Sequence, residues 1–311
     1  MGQERTSFIV NPSAGRGSVA AQWPLIKTIA EDRFKPFSFH LTGGPGEATG
    51  LTRGALQNGA DLIVCVGGDG TLNEVVNGFF EEDRPIRRGT RLGLIPNGTG
   101  CDLIKTIPIP KDVEKAIQVI VEGRVEPLDL GRLTFQDHSG RRTRRYFHNV
   151  TSFGLGGEVV ERVNRTTKRF GGFASFIWAT LVSVLNHQKK RIKMRFDEKQ
   201  ETSVMALNVA VANGQYHGGG MWIAPGASAY DGLLNVTVVG DLSVPQVFWH
   251  LPKLYNGRIF EVKEVQAVSC TRIEADSEGK VLLDVDGEQP GELPATIDMV
   301  PAAIPLIVPR S

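Results

Sequence analysis

Apolar runs and polar breaks divide the 311-residue chain into two textures. In the first, short uninterrupted apolar runs alternate with stretches whose apolar residues recur at helical spacing. Phe8-Ile9-Val10, Leu62-Ile63-Val64-Cys65-Val66 and Leu92-Gly93-Leu94-Ile95 read as buried strands. Phe37, Phe39 and Leu41 alternate with Ser38, His40 and Thr42, which predicts a strand with one more polar face. Helical patterns fall between them, at Val19 to Ala30, Glu47 to Asn58 and Leu72 to Phe80. Strand alternating with helix predicts a three-layer α/β domain with a mostly parallel sheet. From about Pro127 the texture changes to short runs separated by Gly and Asp-Gly turns: Tyr146 to Val150, Val204 to Ala212, Leu233 to Val239 and Lys280 to Val285. These predict a largely antiparallel β-sandwich domain, interrupted by one helical stretch near Ala174 to Asn186. The expected division is 1–130 for the α/β domain and 131–299 for the β-rich domain, with a tail of about 300–311 returning to the first.

Charge narrows the class. Lys and Arg number 35 against 34 Asp and Glu, so the basic excess of a general nucleic-acid binder is missing. The cysteines are Cys65, Cys101 and Cys270, an odd number at wide spacing, which fits neither a disulfide framework nor a structural zinc site. A reducing cytoplasm is the expected setting. Gly2 and Thr6 match a loose myristoylation pattern, read here as chance because the first strand begins at about Ser7. No apolar run reaches the roughly 18 residues that span a bilayer, so no transmembrane segment is expected. The longest candidate is Phe173 to Leu185.

Ligands of open parallel sheets bind beyond the carboxyl ends of the strands, and three glycine-rich loops fall there. They are Asn11-Pro12-Ser13-Ala14-Gly15-Arg16-Gly17, Gly67-Gly68-Asp69-Gly70-Thr71 and Pro96-Asn97-Gly98-Thr99-Gly100-Cys101-Asp102. Glycine lets backbone N–H groups approach an anion. In the second loop Thr71 and Glu74 have the spacing of a capping box, which would aim a helix N-terminus at that anion. One such loop is no more than a tight strand-to-helix turn; three in register point to a nucleotide phosphate site. There is no P-loop signature. Gly15, Gly17 and Ala20 fit a relaxed dinucleotide pattern, but no acidic residue follows where a ribose hydroxyl would need it.

The run Gly67-Gly68-Asp69-Gly70-Thr71-Leu72-Asn73-Glu74-Val75-Val76-Asn77-Gly78 closely resembles the signature of the diacylglycerol kinase catalytic domain, a family that includes sphingosine and ceramide kinases and bacterial soluble lipid kinases. Asn11 to Gly15 and Thr42 to Gly46 look like its nucleotide loops. Asn213 to Met221, Ala224-Pro225, Asp231 to Leu234 and Asp286-Gly287-Glu288 resemble its bacterial branch. The glycine motif alone also suits NAD kinases of the same superfold; the later blocks favour lipid kinases. The resemblance implies an ATP- and Mg2+-dependent transfer to a lipid hydroxyl, diacylglycerol or a related lipid alcohol. ATP would be lined by Asn11, Pro12, Ser13, Ala14, Gly15, Thr42, Gly67, Gly68, Asp69, Gly70, Thr71, Leu72, Asn73 and Thr99. Glu288 would accept the proton, with Asp286 beside it, or Asp286 would do so with Glu288 orienting it. Ser228, Asp231 and Leu233 would hold the cation, the first and last through carbonyls. Cys101 departs from the Asn usual at its position.

Several of these residues have plainer readings. Asp284, Asp286 and Glu288 share one face of a straight strand, but Asp-Gly is also an ordinary solvated turn. Asp69 either braces its loop or holds magnesium. Phe173, Phe176, Ile177, Thr180, Leu181, Val184 and Leu185 form one helical face; Trp178 and Val182 lie elsewhere. That face packs on the β domain, or, with Lys168, Arg169, Lys189, Lys190, Arg191, Lys193 and the Arg141, Arg142, Arg144 and Arg145 cluster, meets a membrane surface. The expectation is a cytoplasmic lipid kinase with ATP between the two domains; a peripheral place at the inner membrane face stays open. The oligomeric state stays open, a homodimer included. The rivals are an NAD kinase-like enzyme and a non-catalytic nucleotide- or lipid-binding regulator.

Overall fold

The computed structural model describes residues 4–166 and 172–310, without the side chains of residues 164–166 and 172–178. It divides into two units, Met1–Asp129 with Ala302–Ser311, and Leu130–Pro301.

The first unit runs β1 (Thr6–Val10), α1 (Ser18–Arg33), β2 (Phe37–Leu41), α2 (Glu47–Gln57), β3 (Leu62–Gly67), α3 (Asp69–Gly78), a small hairpin of β4 (Phe80–Glu81) and β5 (Arg84–Pro85), β6 (Arg91–Pro96), α4 (Leu103–Thr106) and α5 (Val113–Glu122). β7 (Arg124–Asp137) then leads out of it. The sheet order is β2-β1-β3-β6, every pair parallel. The two middle strands are the continuous apolar runs and are buried along their whole length. The more polar β2 is the edge, and its Phe37 and Phe39 remain partly accessible beside Trp23 of α1. The chain returns to this unit at its C-terminal end. Ile304, Leu306, Ile307 and Val308 are buried there, and Leu306 pairs in parallel with Leu92.

The second unit contains β8 (Arg142–Phe147), β9 (Val150–Gly154), α6 (Leu155–Thr166), α7 (Gly172–Asn186), β10 (Lys190–Phe196), β11 (Gln200–Ala206), β12 (Asn208–Ala212), β13 (Tyr216–His217), β14 (Met221–Trp222), β15 (Leu234–Val239), α8 (Val244–His250), β16 (Val265–Cys270), β17 (Arg272–Ser277) and β18 (Leu283–Val285). It also holds the first part of β19 (Gly291–Val308). One five-stranded sheet has the order β16-β15-β12-β9-β18. Antiparallel pairing also joins β11, β10, β17 and β19, and β7 with β8. Leu133, Phe147, Ile192, Met194 and Ile273 share one core with Phe153, Val209, Val236, Leu283 and Val285.

Some expected boundaries move. Tyr146 to Val150 is two strands meeting at His148 and Asn149, and Val204 to Ala212 breaks at Leu207. The interruption of the β unit holds two helices, because α6 precedes α7. Gly156 and Gly157 hid α6: a Cβ at Gly156 would lie 2.3 Å from Ser152 Oγ, and one at Gly157 2.3 Å from the Leu282 carbonyl oxygen. Close packing on the strands, not helix propensity, put glycines there. Of the proposed membrane-facing helix, Val184 is buried and Leu185 exposed; Lys168, Arg169 and the side chains of Phe173, Phe176, Ile177 and Trp178 lie outside the described residues, as does Gly2. Among the described residues no helix is long and apolar enough to cross a membrane.

Candidate active site

In the first unit the glycine loops interlock at the carboxyl ends of β1, β3 and β6. The Asn11 side chain donates from Nδ2 to Thr71 Oγ1 at 2.9 Å, and its Oδ1 accepts from the Ser13 N–H at 3.0 Å. Ser18 Oγ donates to Asn97 Oδ1 at 2.6 Å, and Asp69 Oδ1 accepts from the Asp102 N–H at 3.0 Å. The first, second and third loops are thereby tied together, and Asp69 is at least a brace. Glycine is required where two backbones touch: a Cβ on Gly98 would stand 2.6 Å from the Gly68 Cα. Gly15, at φ +59, has equally little room beside Ser18 and Asn97.

The expected capping box does not form. α3 starts at Asp69 with Gly68 as its cap, so Thr71 lies inside the first turn and is bonded to Asn11 instead. Glu74 reaches α2, accepting from the N–H groups of Gly46 (2.7 Å) and Ala48 (3.0 Å). The consequence favours anion binding: Gly68 brings no side chain of its own to the start of α3, and a helix N-terminus presents backbone N–H groups and a positive dipole end to an anion. Thr42 follows β2, its N–H bonded to the Val10 carbonyl oxygen, and Thr99 is exposed in the third loop. Leu72 and Asn73 are buried, so they shape the loop from beneath. Cys101 is buried at φ +47, with Sγ 3.4 Å from the Gly98 carbonyl oxygen. Burial pushes its thiol up to about 11, with the nearby Asp69 carboxylate adding to the shift.

In the second unit the Asp286-Gly287 turn carries the acidic residues. Val285 and Glu288 exchange both backbone hydrogen bonds, at 2.8 and 3.0 Å, around Asp286 (φ +48) and Gly287 (φ +89). This two-residue turn with positive φ at both centres needs Asn or Asp followed by Gly. Asp284, Asp286 and Glu288 therefore do not share one face of a straight strand, because the strand ends at Val285. The Asp286 carboxylate points into the break between β8 and β9. It accepts the N–H groups of His148, Asn149 and Val150 at 3.0, 3.1 and 3.0 Å, and His148 Nδ1 lies 2.8 Å from Oδ2. Its side chain is wholly enclosed. Glu288, on the same turn, keeps its side chain 42% exposed, with Oε2 2.6 Å from Arg145 Nη2.

Sequence reasoning missed two partners of this turn. Asp284 is fully buried: Oδ1 accepts the Gly287 N–H at 2.9 Å and Oδ2 lies 2.9 Å from His217 Nε2. His148 carried no local signal and His217 was visible only within the Asn213 to Met221 block, since each takes its role from a carboxylate distant in the chain. The proposed cation ligands share one exposed turn, in which Asp231 Oδ1 accepts the Leu233 N–H at 3.0 Å and Ser228 Oγ accepts the Tyr230 N–H at 3.3 Å. Among the described residues no group of three or more His, Cys, Asp or Glu side chains forms a metal cluster.

Known proteins combine these features. Residues 5–133 match the diacylglycerol kinase catalytic domain, and residues 149–308 match the YegS C-terminal NAD kinase beta sandwich-like domain. A diacylglycerol kinase of Mycobacterium tuberculosis H37Rv is 28% identical over 98% of this chain and 96% of its own. One of Bacillus subtilis 168 is 25% identical over 99% and 97%. A crystal structure of a candidate diacylglycerol kinase from Bacillus anthracis str. Sterne superposes with a TM-score of 0.78 at 26% identity, covering 98% of this chain and 97% of that one. Yeast NADH kinase shares the fold at a TM-score of 0.53 and 13% identity, covering 100% of this chain and 85% of that one. A parallel α/β unit with glycine loops joined to an antiparallel β unit is thus a kinase architecture. Within it, the chain belongs to the diacylglycerol kinase catalytic-domain family and is a lipid kinase of the YegS-like bacterial type.

Proposed function

We propose that this lipid kinase phosphorylates diacylglycerol or a close lipid alcohol, with Glu288 as the proton acceptor. The single observation that carries the assignment of the base is the contrast within one turn. Asp286 is enclosed and holds its donors on both oxygens, so no hydroxyl reaches it without breaking that set. Glu288 is accessible, and the Arg145 guanidinium holds its carboxylate in a defined direction. Asp286 then fixes the turn and Glu288 receives the proton, which is the reverse of the alternative with Asp286 as base. Diacylglycerol as acceptor is supported by the full-length relatives that carry that name.

Phosphoryl transfer asks chiefly for positioning and charge stabilisation. The N-terminal end of α3, the loop at Asn11 to Gly15, Thr42 and Thr99 would receive the phosphates of ATP, the cosubstrate of kinases of this family. The buried Leu72 and Asn73 hold that loop in shape. Mg2+ supplies neutralisation of phosphate charge when bound. A cation could also be held by Asp231 with the carbonyl oxygens of Ser228 and Leu233: hard cations take one carboxylate and turn carbonyls, and a single Asp231 oxygen is engaged by the Leu233 N–H. Such a cation would stiffen that turn. The acceptor would come from a membrane surface on the cytoplasmic side.

The test is a kinase assay with labelled ATP against a panel of diacylglycerol, sphingoid base, ceramide, polyprenol and NAD, with mass-spectrometric identification of the product. Diacylglycerol phosphate is the expected product. Glu288→Gln is expected to lower kcat by roughly 10²–10⁴-fold, the usual contribution of a general base. NAD as the phosphorylated acceptor would overturn the substrate reading, and Glu288→Gln within threefold of the parent would overturn the base.

A further inference from the structure

The mechanism leaves one fully buried charged residue without a task. Asp284 sits in β18 at zero exposure, and its carboxylate joins two pieces of chain that the sequence keeps far apart. Oδ1 receives the Gly287 N–H at 2.9 Å, inside the turn that carries Glu288. Oδ2 lies 2.9 Å from His217 Nε2, in the hairpin of β13 and β14, and 3.3 Å from its donor Ser152 Oγ. In this contact the carboxylate oxygen accepts and Nε2 is the donor. The hairpin is itself held firmly. Tyr216 and Trp222 stack at 5.2 Å, Trp222 Nε1 donates to Gln215 Oε1 at 2.8 Å, and Asn149 Nδ2 donates to the Tyr216 carbonyl oxygen at 2.8 Å.

We propose that His217 is a positioning residue for phosphoryl transfer, acting through Asp284 and the Gly287 N–H to set the direction of Glu288. The inference rests on Glu288 being the base. The physical reason is that Asp286 and Asp284 hold the two sides of one turn. Asp286 ties it to the β8–β9 break, and Asp284 ties it to the His217 hairpin. A two-residue turn held on one side can still rotate about that anchor. Held on both, it presents the next side chain in one direction. A buried carboxylate that loses a charged or polar partner must find another or move, and Asp284 would move toward water and draw the Gly287 N–H with it. A base displaced by about 1 Å costs as much as 10²-fold in rate. As a positioning residue His217 touches neither phosphate nor lipid, and its ring is 16% exposed, enough for a pure packing role to be the competing explanation.

Amide substitutions separate the two. His217→Gln places an N–H close to where Nε2 lies, whereas His217→Asn carries the same amide on a shorter arm that does not reach Asp284. The measurement is kcat and both KM values for His217→Ala, His217→Asn and His217→Gln, and for Glu288→Gln alone and combined with His217→Asn, each checked for an unchanged melting transition. Ala and Asn are expected to lower kcat roughly ten- to hundredfold, with the KM for ATP and lipid within about twofold of the parent. Gln is expected to stay within about threefold of the parent. In the Glu288→Gln background His217→Asn should cost less than twofold more, since the residue it positions is already disabled. If Ala fails to fold, the Asn–Gln contrast decides alone. Equal rates for Asn and Gln, a loss confined to KM, or losses that multiply in the double variant overturn the positioning role while Glu288 as base stands. A Glu288→Gln enzyme at the parent rate overturns the base and this role with it.

Discussion

A single residue shows how the fold, rather than its chemistry, sets reactivity. Cys101 stands near the start of a helix and beside a phosphate loop, a position that lowers thiol pKa when the thiol is accessible. Here burial wins and the thiol is pushed up to about 11. At pH 8 that leaves roughly one thiol in a thousand ionised, and the thiolate is the reacting form. Cys270 is pushed up to about 12 and Cys65 further still, both by burial. The native enzyme is therefore expected to release almost no thionitrobenzoate with Ellman's reagent at pH 8, and three equivalents per chain once unfolded in guanidinium. One rapid equivalent from the folded protein would contradict the burial of Cys101. Replacement of Cys101 by Asn, the residue usual in the family, suits its positive φ at +47 and puts an amide where the thiol now meets the Gly98 carbonyl oxygen.

At the scale of elements, the loops join into one frame, and the joints carry testable weight. Glu74 belongs to α3 but caps α2 through Gly46 and Ala48. Removing a side-chain cap costs about 0.5–2 kcal/mol, and about 1 kcal/mol lowers Tm by roughly 2–4 °C in a protein of this class of size. Glu74→Ala is expected to lower Tm by several degrees by calorimetry; an unchanged Tm would mean that the two N–H groups find other acceptors. Gly98→Ala tests the backbone contact itself. Its Cβ would lie 2.6 Å from the Gly68 Cα, so both loops must move apart. The expected result is an ATP KM raised at least tenfold, read in the same kinase assay. These joints also mark the limit of what the chain spells out. Glycine runs and uninterrupted apolar strands are local signals, and they put the three loops, β1, β3 and β6 in view. Thr71 and Glu74 had the spacing of a capping box, yet Asn11 takes the hydroxyl and α2 takes the carboxylate. Both takers are tertiary partners that spacing does not reveal. Asp286-Gly287-Glu288 was legible by resemblance, but the division of labour in it was not: it depends on three N–H groups at the β8–β9 break, which read as one continuous strand.

At the scale of the molecule, the first unit is assembled from two distant stretches of chain, which limits how it can be cut. Its sheet ends in β6, and the C-terminal stretch pairs there through Leu306 and Leu92. That stretch also buries Ile304, Leu306, Ile307 and Val308, each at 4% exposure or less. Asp129 receives the Ala302 N–H at 2.7 Å, closing the return where the chain re-enters. Burying one such side chain contributes about 1.5–3 kcal/mol, so the four together give roughly 6–12 kcal/mol as an upper estimate. A whole domain is stable by only about 5–15 kcal/mol. Residues 1–129 alone should therefore fail to fold, although they contain every glycine loop. Residues 1–129 joined by a flexible linker to 302–311 should recover a cooperative melting transition. Circular dichroism melts of the two fragments decide the matter. A cooperative transition from 1–129 alone would mean that the C-terminal strand covers the sheet without being needed to form it, and the energetic estimate would have to be lowered accordingly.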